Sequence, residues 1–101
     1  MKAFFAGKDL NAIKQAIEDA MKGRKLGDLT QMSVVGTRLE ATISKMGTSK
    51  LVFASTARDG GTEVTLTEEK LALAHRPLRG EVKEKLARVV EQAGGTVLVR
   101  G

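Results

Sequence analysis

Cysteine is absent from the sequence, and histidine occurs once, as His75. The absence of cysteine excludes disulfides, thiolate metal sites and cysteine nucleophiles. No cluster of Asp or Glu with metal-ligand spacing accompanies His75. We therefore predict no metal site and no cofactor, and we expect His75 to lie in a loop or at a strand end without a chemical role.

Motifs of the common catalytic sites are also missing. No serine lies in a G-x-S-x-G or S-x-x-K setting, and no Gly-rich phosphate loop or dinucleotide fingerprint is present. Asp59 and Glu63 are close in sequence, but a turn at Asp59-Gly60 already explains the aspartate. The sequence therefore predicts a protein that is not an enzyme.

Tyrosine and tryptophan are absent, and the three phenylalanines, Phe4, Phe5 and Phe53, lie in apolar runs that predict core positions. Readers of single-stranded nucleic acid stack bases on aromatic side chains. Any contact with nucleic acid is therefore expected to be directed at phosphates, with weak specificity and strong dependence on salt.

Long apolar runs are missing as well. No stretch approaches the roughly 18 apolar residues of a membrane-spanning helix. The apolar run within residues 1–7 is too short for the core of a signal peptide. We therefore predict a cytoplasmic protein without a membrane span.

What is present indicates one globular domain with a basic surface. The chain has 101 residues, 42% of them hydrophobic and 29% charged, which suits a single core and a single domain over residues 1–101. Its formal net charge is +5. Such a surplus favours polyanionic partners, either nucleic acid or an acidic protein surface.

Apolar residues at helical spacing predict two amphipathic helices. Asp9 is a suitable N-cap for a first helix over residues 10–22. Pro77 suits the first position of a second helix, which ends before Gly94-Gly95. The predicted apolar faces comprise Leu10, Ile13, Ile17, Ala20 and Met21 in the first helix, and Leu78, Val82, Leu86, Val89, Val90 and Ala93 in the second.

Alternating or continuous apolar runs predict the strands. The turn signal Asp59-Gly60 joins two of them into a hairpin. Consecutive strands with short turns form an antiparallel meander, and helices with one apolar face must pack on a sheet. The predicted fold is therefore α+β, a two-layer sandwich with two helices on one face. Strands are expected at residues 2–6, 39–43, 51–54, 63–67 and 96–99, and residues 32–35 form either a further strand or the start of the strand that follows them.

Residues 67–75 allow two interpretations. Thr67-Glu68-Glu69 resembles a helix start, whereas Leu71 and Leu73 alternate as in a strand. We expect a turn at Glu68-Glu69 and a strand over residues 70–74. If that strand runs parallel to the last one, the two with their helix form a right-handed βαβ unit.

The first candidate site for an anion is the basic segment that contains Lys22, Arg24 and Lys25. Positive side chains grouped in this way grip phosphates. The alternative is that they complement the negative C-terminal end of the first helix.

The second candidate site contains Arg76 and Arg79 beside the start of the second helix. A helix N-terminus favours acidic neighbours, so two arginines there are unexpected. Positive side chains beside free N–H groups hold phosphate or carboxylate. The alternative is that the arginines are solvated or paired with Glu68 or Glu69.

Two functional hypotheses follow. The first is a non-enzymatic binding or interaction module for an anionic partner. The second is a structural protein that forms a homodimer or larger homo-oligomer through the open edges of its sheet, with the strand at residues 96–99 as the candidate edge.

Overall fold

The computed structural model describes residues 1–100, with the side chain of Leu26 left undescribed. Strands, two longer helices, one short helix and a 3₁₀ segment alternate along the chain. In chain order they are β1 (Lys2–Ala6), α1 (Leu10–Met21), α2 (Lys25–Leu29), β2 (Thr30–Val35), β3 (Arg38–Ser44), β4 (Thr48–Arg58), β5 (Gly61–Lys70), the 3₁₀ segment (Leu73–Leu78), α3 (Arg79–Gln92) and β6 (Gly95–Val99).

The strands form one six-stranded sheet in the order β2-β3-β4-β5-β1-β6, and every neighbouring pair is antiparallel. The predicted α+β fold with an antiparallel sheet is confirmed. Strands β2 to β5 are the predicted meander. At its last hairpin Arg58 pairs with Gly61, and Gly60 takes the positive φ of 80° that this tight turn requires.

Both longer helices bury one apolar stripe. Helix α1 begins as predicted, because the Asp9 side chain accepts a hydrogen bond from the Ala12 N–H at 2.8 Å. It buries Ile13, Ile17 and Met21, and α3 buries a stripe that includes Leu86 and Val90. These residues share one core with alternate residues of the strands, among them Ala3, Phe5, Leu39, Ala41, Leu51, Phe53 and Val64.

The interpretation of residues 67–75 was wrong. Strand β5 continues without a turn through Glu68 and Glu69 to Lys70, and residues 73–78 form the 3₁₀ segment instead of a strand. A β-bulge explains the error. The register shifts between Val52 and Phe53, so that Leu66 opposes Phe53 and Glu68 opposes Val52. The extra residue, Thr67, breaks the alternation that sequence reading relies on.

The predicted βαβ unit is also wrong, because its first strand, predicted over residues 70–74, does not form. Strands β5 and β6 do run in the same direction around α3, but β1 lies between them and is antiparallel to both. Similarly, α1 and α2 connect β1 to β2 at the far edge of the sheet. Each helical connection thus crosses over strands that belong to another part of the chain.

Two boundaries of the helices differ from prediction. Pro77 lies inside the 3₁₀ segment, and α3 begins at Arg79. The preceding backbone already closes a tight turn, with the N–H groups of His75 and Arg76 both donating to the Ala72 carbonyl. Between α1 and β2 lies the short helix α2, for which no helix was predicted, and it packs closely on the end of α1 because Gly27 has no side chain.

Candidate functional site

The 3₁₀ segment is fastened to the β3–β4 hairpin by His75 and Ser49. The backbone N–H of Ala72 donates to the Ser49 hydroxyl oxygen at 2.9 Å. One ring nitrogen of His75, Nε2, contacts the Lys45 carbonyl, and the other, Nδ1, contacts the Ser49 hydroxyl. Because a carbonyl can only accept, Nε2 donates to it and Nδ1 accepts from the hydroxyl. We call this network the His75–Ser49 clasp.

A serine hydroxyl hydrogen-bonded to a histidine is also part of many nucleophilic sites. Ser49 differs from such nucleophiles in two respects. It is 1% exposed, and its oxygen already accepts the N–H of Ala72. A carbonyl carbon therefore has no approach to the hydroxyl, and the contacts of His75 hold the backbone of the 3₁₀ segment in place.

Beside the clasp lies a depression that we call the basic depression. Its exposed rim carries Lys25, Lys45 and Lys85, next to the half-buried His75. Its volume, measured as the space open to the centre of a water molecule, is about 190 Å³. Its deeper wall is apolar and consists of half-buried side chains, among them Leu29, Ile43, Leu71 and Val82.

The charges of the basic depression are unbalanced. Lys85 forms an ion pair at 3.2 Å with Glu81, the only acidic residue on its wall within residues 1–100. Lys25 and Lys45 have no carboxylate within ion-pair distance among residues 1–100. Two cations from distant parts of the chain therefore line one depression, and neither has an ion-pair partner among the described residues.

Below the basic depression, between sheet and helices, lies an apolar cavity that we call the inner cavity. Its volume, measured as the space open to the centre of a water molecule, is about 30 Å³. Apart from Thr30, its lining is entirely apolar and includes Met1, Met21 and Met32. Ile43 and Val82 line both the inner cavity and the basic depression, so the two spaces adjoin.

The residues predicted at the second basic segment lie elsewhere. Arg76 and Arg79 line a second, open depression together with Lys70 and Glu69, and this depression adjoins the basic depression because Leu71 lines both. Arg79 is bound by the Glu69 carboxylate, and Lys83 Nζ lies 3.2 Å from the second oxygen of that carboxylate. The alternative interpretation, in which an arginine here pairs with Glu69, therefore describes Arg79, whereas Arg76 has no ion pair among the described residues.

This ion cluster perturbs the pKa of two groups in it. Burial acts to raise the pKa of Glu69, but the hydrogen bonds from Arg79 and Lys83 outweigh it, and the pKa lies below its ordinary value. The same hydrogen bond to Glu69 raises the pKa of the Arg79 guanidinium. Arg79 is thus a structural partner of β5 and is less available to an outside anion than Arg76.

The three residues of the first basic segment point to different surroundings. Lys22 forms an ion pair with Asp19 at 3.2 Å, and the Arg24 guanidinium donates to the side chain of Gln92. Only Lys25 lines the basic depression. The five residues predicted as anion contacts therefore do not line one depression, because Lys25 lines the basic depression and the pair Arg76 and Arg79 lines the one beside it.

Sequence reasoning missed Lys45, Lys85 and Ser49. Lys45 lies in a hairpin loop and Lys85 in an i,i+4 pair, so each has an ordinary local explanation. Their relation to Lys25 depends on the sheet order and on the 3₁₀ segment, neither of which leaves a local pattern. The one local feature related to this contact is Gly47 in the β3–β4 hairpin. A Cβ at this glycine would lie 2.8 Å from the Cβ of Ala72, so the glycine permits the close approach of the two segments.

Two further features that bear on function, a metal site and a membrane-spanning helix, concern residues 1–100. No group of three or more His, Asp or Glu side chains that could hold a metal ion occurs there. No helix of this region is both long and apolar enough to cross a bilayer. Comparison of the chain with protein-family models, curated protein sequences and solved structures finds no match.

Proposed function

We propose that the chain is a non-enzymatic binding module and that the basic depression receives the anionic group of its partner. The observation that carries this proposal is that Lys25 and Lys45 line the same depression and that neither has a carboxylate partner among the described residues. Cations that line one concave surface raise the local positive potential, which attracts an anion to that surface.

The arrangement suits a single anionic group better than a polyanion. Nucleic acid binding requires cations spaced along a track. On this molecule most of the other cations already have local partners, as in the pairs Lys2–Glu63 and Lys50–Glu40 on the sheet. A polyanion would have to break several such pairs to gain its contacts.

The proposal is tested by titrating the protein with inorganic phosphate and following the backbone amides by NMR. We expect shifts around the basic depression, and about tenfold weaker binding in the double variant Lys25→Gln/Lys45→Gln, equal to about 1.4 kcal/mol. The matched control is Lys8→Gln/Arg38→Gln, which removes two cations that have no ion pair among the described residues and lie outside the depression. Equal effects of the two double variants would refute the proposed site.

A second titration addresses nucleic acid. Labelled DNA and RNA oligonucleotides are added at low ionic strength and the salt is then raised. If the binding constant falls steeply as the salt concentration rises, so that several counterions are released on binding, the partner is the phosphate backbone of nucleic acid. If neither nucleic acid binds at low ionic strength, the remaining candidate partners are a small anion and an acidic protein surface.

A second candidate function is self-association through the sheet edges. Strands β2 and β6 are the two edges, and the β6 side chains Leu98 and Val99 are each 51% exposed. Strand β2, TQMSVV, has no charged side chain to discourage pairing with another chain. Sedimentation over a wide concentration range tests this candidate, because a monomer at every concentration would eliminate it, and Leu98→Lys should weaken any dimer that uses β6.

A further inference from the structure

We infer that the basic depression and the depression beside it form one docking surface for an acidic segment of a partner protein, in which carboxylates alternate with apolar side chains. This inference rests on the proposed function and names the kind of partner. The two depressions adjoin at Leu71, which lines both. We call their linings, together with the neighbouring side chains of Met46 and Leu73, the clasp surface.

Cations without an ion-pair partner gather at the clasp surface. Of the 17 lysines and arginines, ten form ion pairs among the described residues and seven do not. Four of the seven belong to the clasp surface, with Lys25 and Lys45 in the basic depression and Lys70 and Arg76 in the depression beside it. The three that line neither depression are Lys8, Arg24 and Arg38.

The carboxylates of the clasp surface do not neutralise these cations. Glu81 is paired with Lys85, and Glu69 is paired with Arg79 and Lys83. Among the described residues, six lysines and arginines line the two depressions against these two carboxylates, and the formal net charge of the whole chain is +5. Most of the surplus positive charge therefore lies at one concave surface, which attracts a partner of opposite charge.

Exposed apolar side chains lie in the same part of the molecule. Met46 is 84% exposed, Leu73 78% and Leu78 47%. Met46 lies in the β3–β4 hairpin and the two leucines lie in the 3₁₀ segment, and these segments meet at Gly47 and Ala72. The other exposed large apolar side chains of the described residues lie on the edge strands and are Val35, Leu98 and Val99. Apolar side chains with a charged rim are typical of a surface that binds another protein.

The backbone of Met46 supports a role for its exposed side chain. Its φ is +54°, the only positive value at a residue other than glycine within residues 1–100. The Cβ of such a residue crowds the carbonyl oxygen that follows, so glycine would adopt this conformation at lower cost. Backbone strain of this kind occurs at binding sites, where the side chain itself is needed.

An acidic polypeptide matches both features of the clasp surface. A small anion such as phosphate occupies one depression and leaves Met46 and Leu73 exposed. Nucleic acid brings polar sugars to these apolar side chains, and its bases find no tyrosine or tryptophan to stack on. A protein segment can instead place a carboxylate in each depression and an apolar side chain against Met46 or Leu73.

Three probes test the kind of partner by fluorescence anisotropy at constant ionic strength. The first is a peptide of about eight residues, glutamates with two leucines, which spans about 26 Å when extended and so matches the middle extent of the molecule, 26 Å. The second peptide has serines in place of the leucines, and the third probe is a thymidine oligonucleotide of the same length. We expect the leucine peptide to bind about fivefold more tightly than the serine peptide and the oligonucleotide to bind most weakly.

A double variant tests whether the second depression takes part. In Lys70→Gln/Arg76→Gln two exposed cations are removed. We expect the leucine peptide to bind about tenfold more weakly, whereas inorganic phosphate still shifts the amides around the basic depression. The matched control Lys8→Gln/Arg38→Gln should bind the peptide as the wild type does.

The outcomes separate this inference from the proposed function. If Lys70→Gln/Arg76→Gln binds the leucine peptide as tightly as the control variant does, the inference is refuted while anion binding at the basic depression stands. If neither phosphate nor the peptide shifts the amides near Lys25 and Lys45, both fail. If the oligonucleotide binds as tightly as the leucine peptide, the partner is not an acidic protein segment.

The apolar part of the clasp surface is tested with Leu73→Ser. Because Leu73 is 78% exposed, its replacement should leave the fold intact. We expect the variant to bind the leucine peptide no more tightly than it binds the serine peptide. The matched control is Leu98→Ser, which changes an exposed leucine on β6 outside both depressions. If both variants keep the wild-type preference for the leucine peptide, the apolar contact is absent and the inference is overturned.

Discussion

Ser49 shows how one buried hydroxyl joins two distant segments. It is the only polar residue among the fully buried ones that the structure describes. It donates to His75 Nδ1 and accepts from the Ala72 N–H, so every group that burial deprives of water has a partner. From the sequence, Ser49 and His75 were two unremarkable polar residues, because nothing local to either indicated the other.

Ser49→Ala should destabilise the protein by about 2 kcal/mol, because it leaves His75 Nδ1 and the Ala72 N–H without partners. Urea unfolding measures the effect. Ser33→Ala, at an exposed position on β2, is the matched control and should change stability by less than about 0.5 kcal/mol. Equal effects of the two substitutions would show that the His75–Ser49 clasp does not hold the 3₁₀ segment.

Glu69 should make stability depend on pH in the acid range. Its pKa is lower in the folded protein than in the unfolded chain, so its ion pairs stabilise the fold above the ordinary glutamate value of about 4.3. This contribution is lost as the pH falls below that value and through the lower pKa of the folded state. Urea unfolding of the wild type and of Glu69→Gln from pH 7 to pH 2 should give curves that differ near neutrality and converge in acid.

Glu68→Gln is the control for this pH dependence. Glu68 is exposed on the same strand and has no ion pair among the described residues. Its substitution should leave the curve of unfolding free energy against pH parallel to that of the wild type. A Glu69→Gln profile parallel to the wild type would contradict the assignment.

At the scale of elements, sequence patterns predicted the parts that follow one uniform period. Helix α1, β3 and the Asp59-Gly60 hairpin were predicted within a few residues, because apolar spacing and turn chemistry agree there. The bulge in β5 and the 3₁₀ segment were not. Both depend on contacts with β4 and with the β3–β4 hairpin. A shift of one residue in register interrupts the alternation of apolar and polar residues, and the end of a strand interrupts it in the same way.

Helix α2 gives a prediction at this scale. A Cβ on Gly27 would lie 2.3 Å from the carbonyl oxygen of Met21 at the end of α1, so Gly27→Ala must displace the short helix. We expect a loss of about 1–3 kcal/mol. Gly80→Ala is the matched control, because its Cβ would meet open space in the first turn of α3. It should stabilise the protein by about 0.5–1 kcal/mol, and thermal unfolding distinguishes the two signs.

For the whole molecule, sequence reading identified the element types but not the strand order. Nothing local to β1 shows that it lies between β5 and β6. The same limit applies to the candidate site, where only Lys25 was predicted of the three lysines that line the basic depression. Sites assembled by sheet order stay hidden until the order is known.

Amide hydrogen exchange should follow the strand order. Strand β4 has a hydrogen-bonded neighbour on each side, whereas β2 and β6 each have one. We expect the slowest exchange in β4 and β5 and the fastest in the outward amides of β2 and β6, since edge groups open to solvent locally. NMR exchange measured residue by residue tests this order, and edges as slow as β4 would indicate pairing between chains.

Strand β1 finds both its partners late in the chain, with Phe5 opposite Thr62 on one side and Gly95 on the other. The meander of β2 to β5 needs only short loops to close, so it is the natural folding nucleus. Docking of β1 must then follow, and the transition state for folding should contain the meander while β1 and β6 are still unpaired. The inner cavity acquires its Met1 wall only in that last step, so the apolar core is completed at the end of folding.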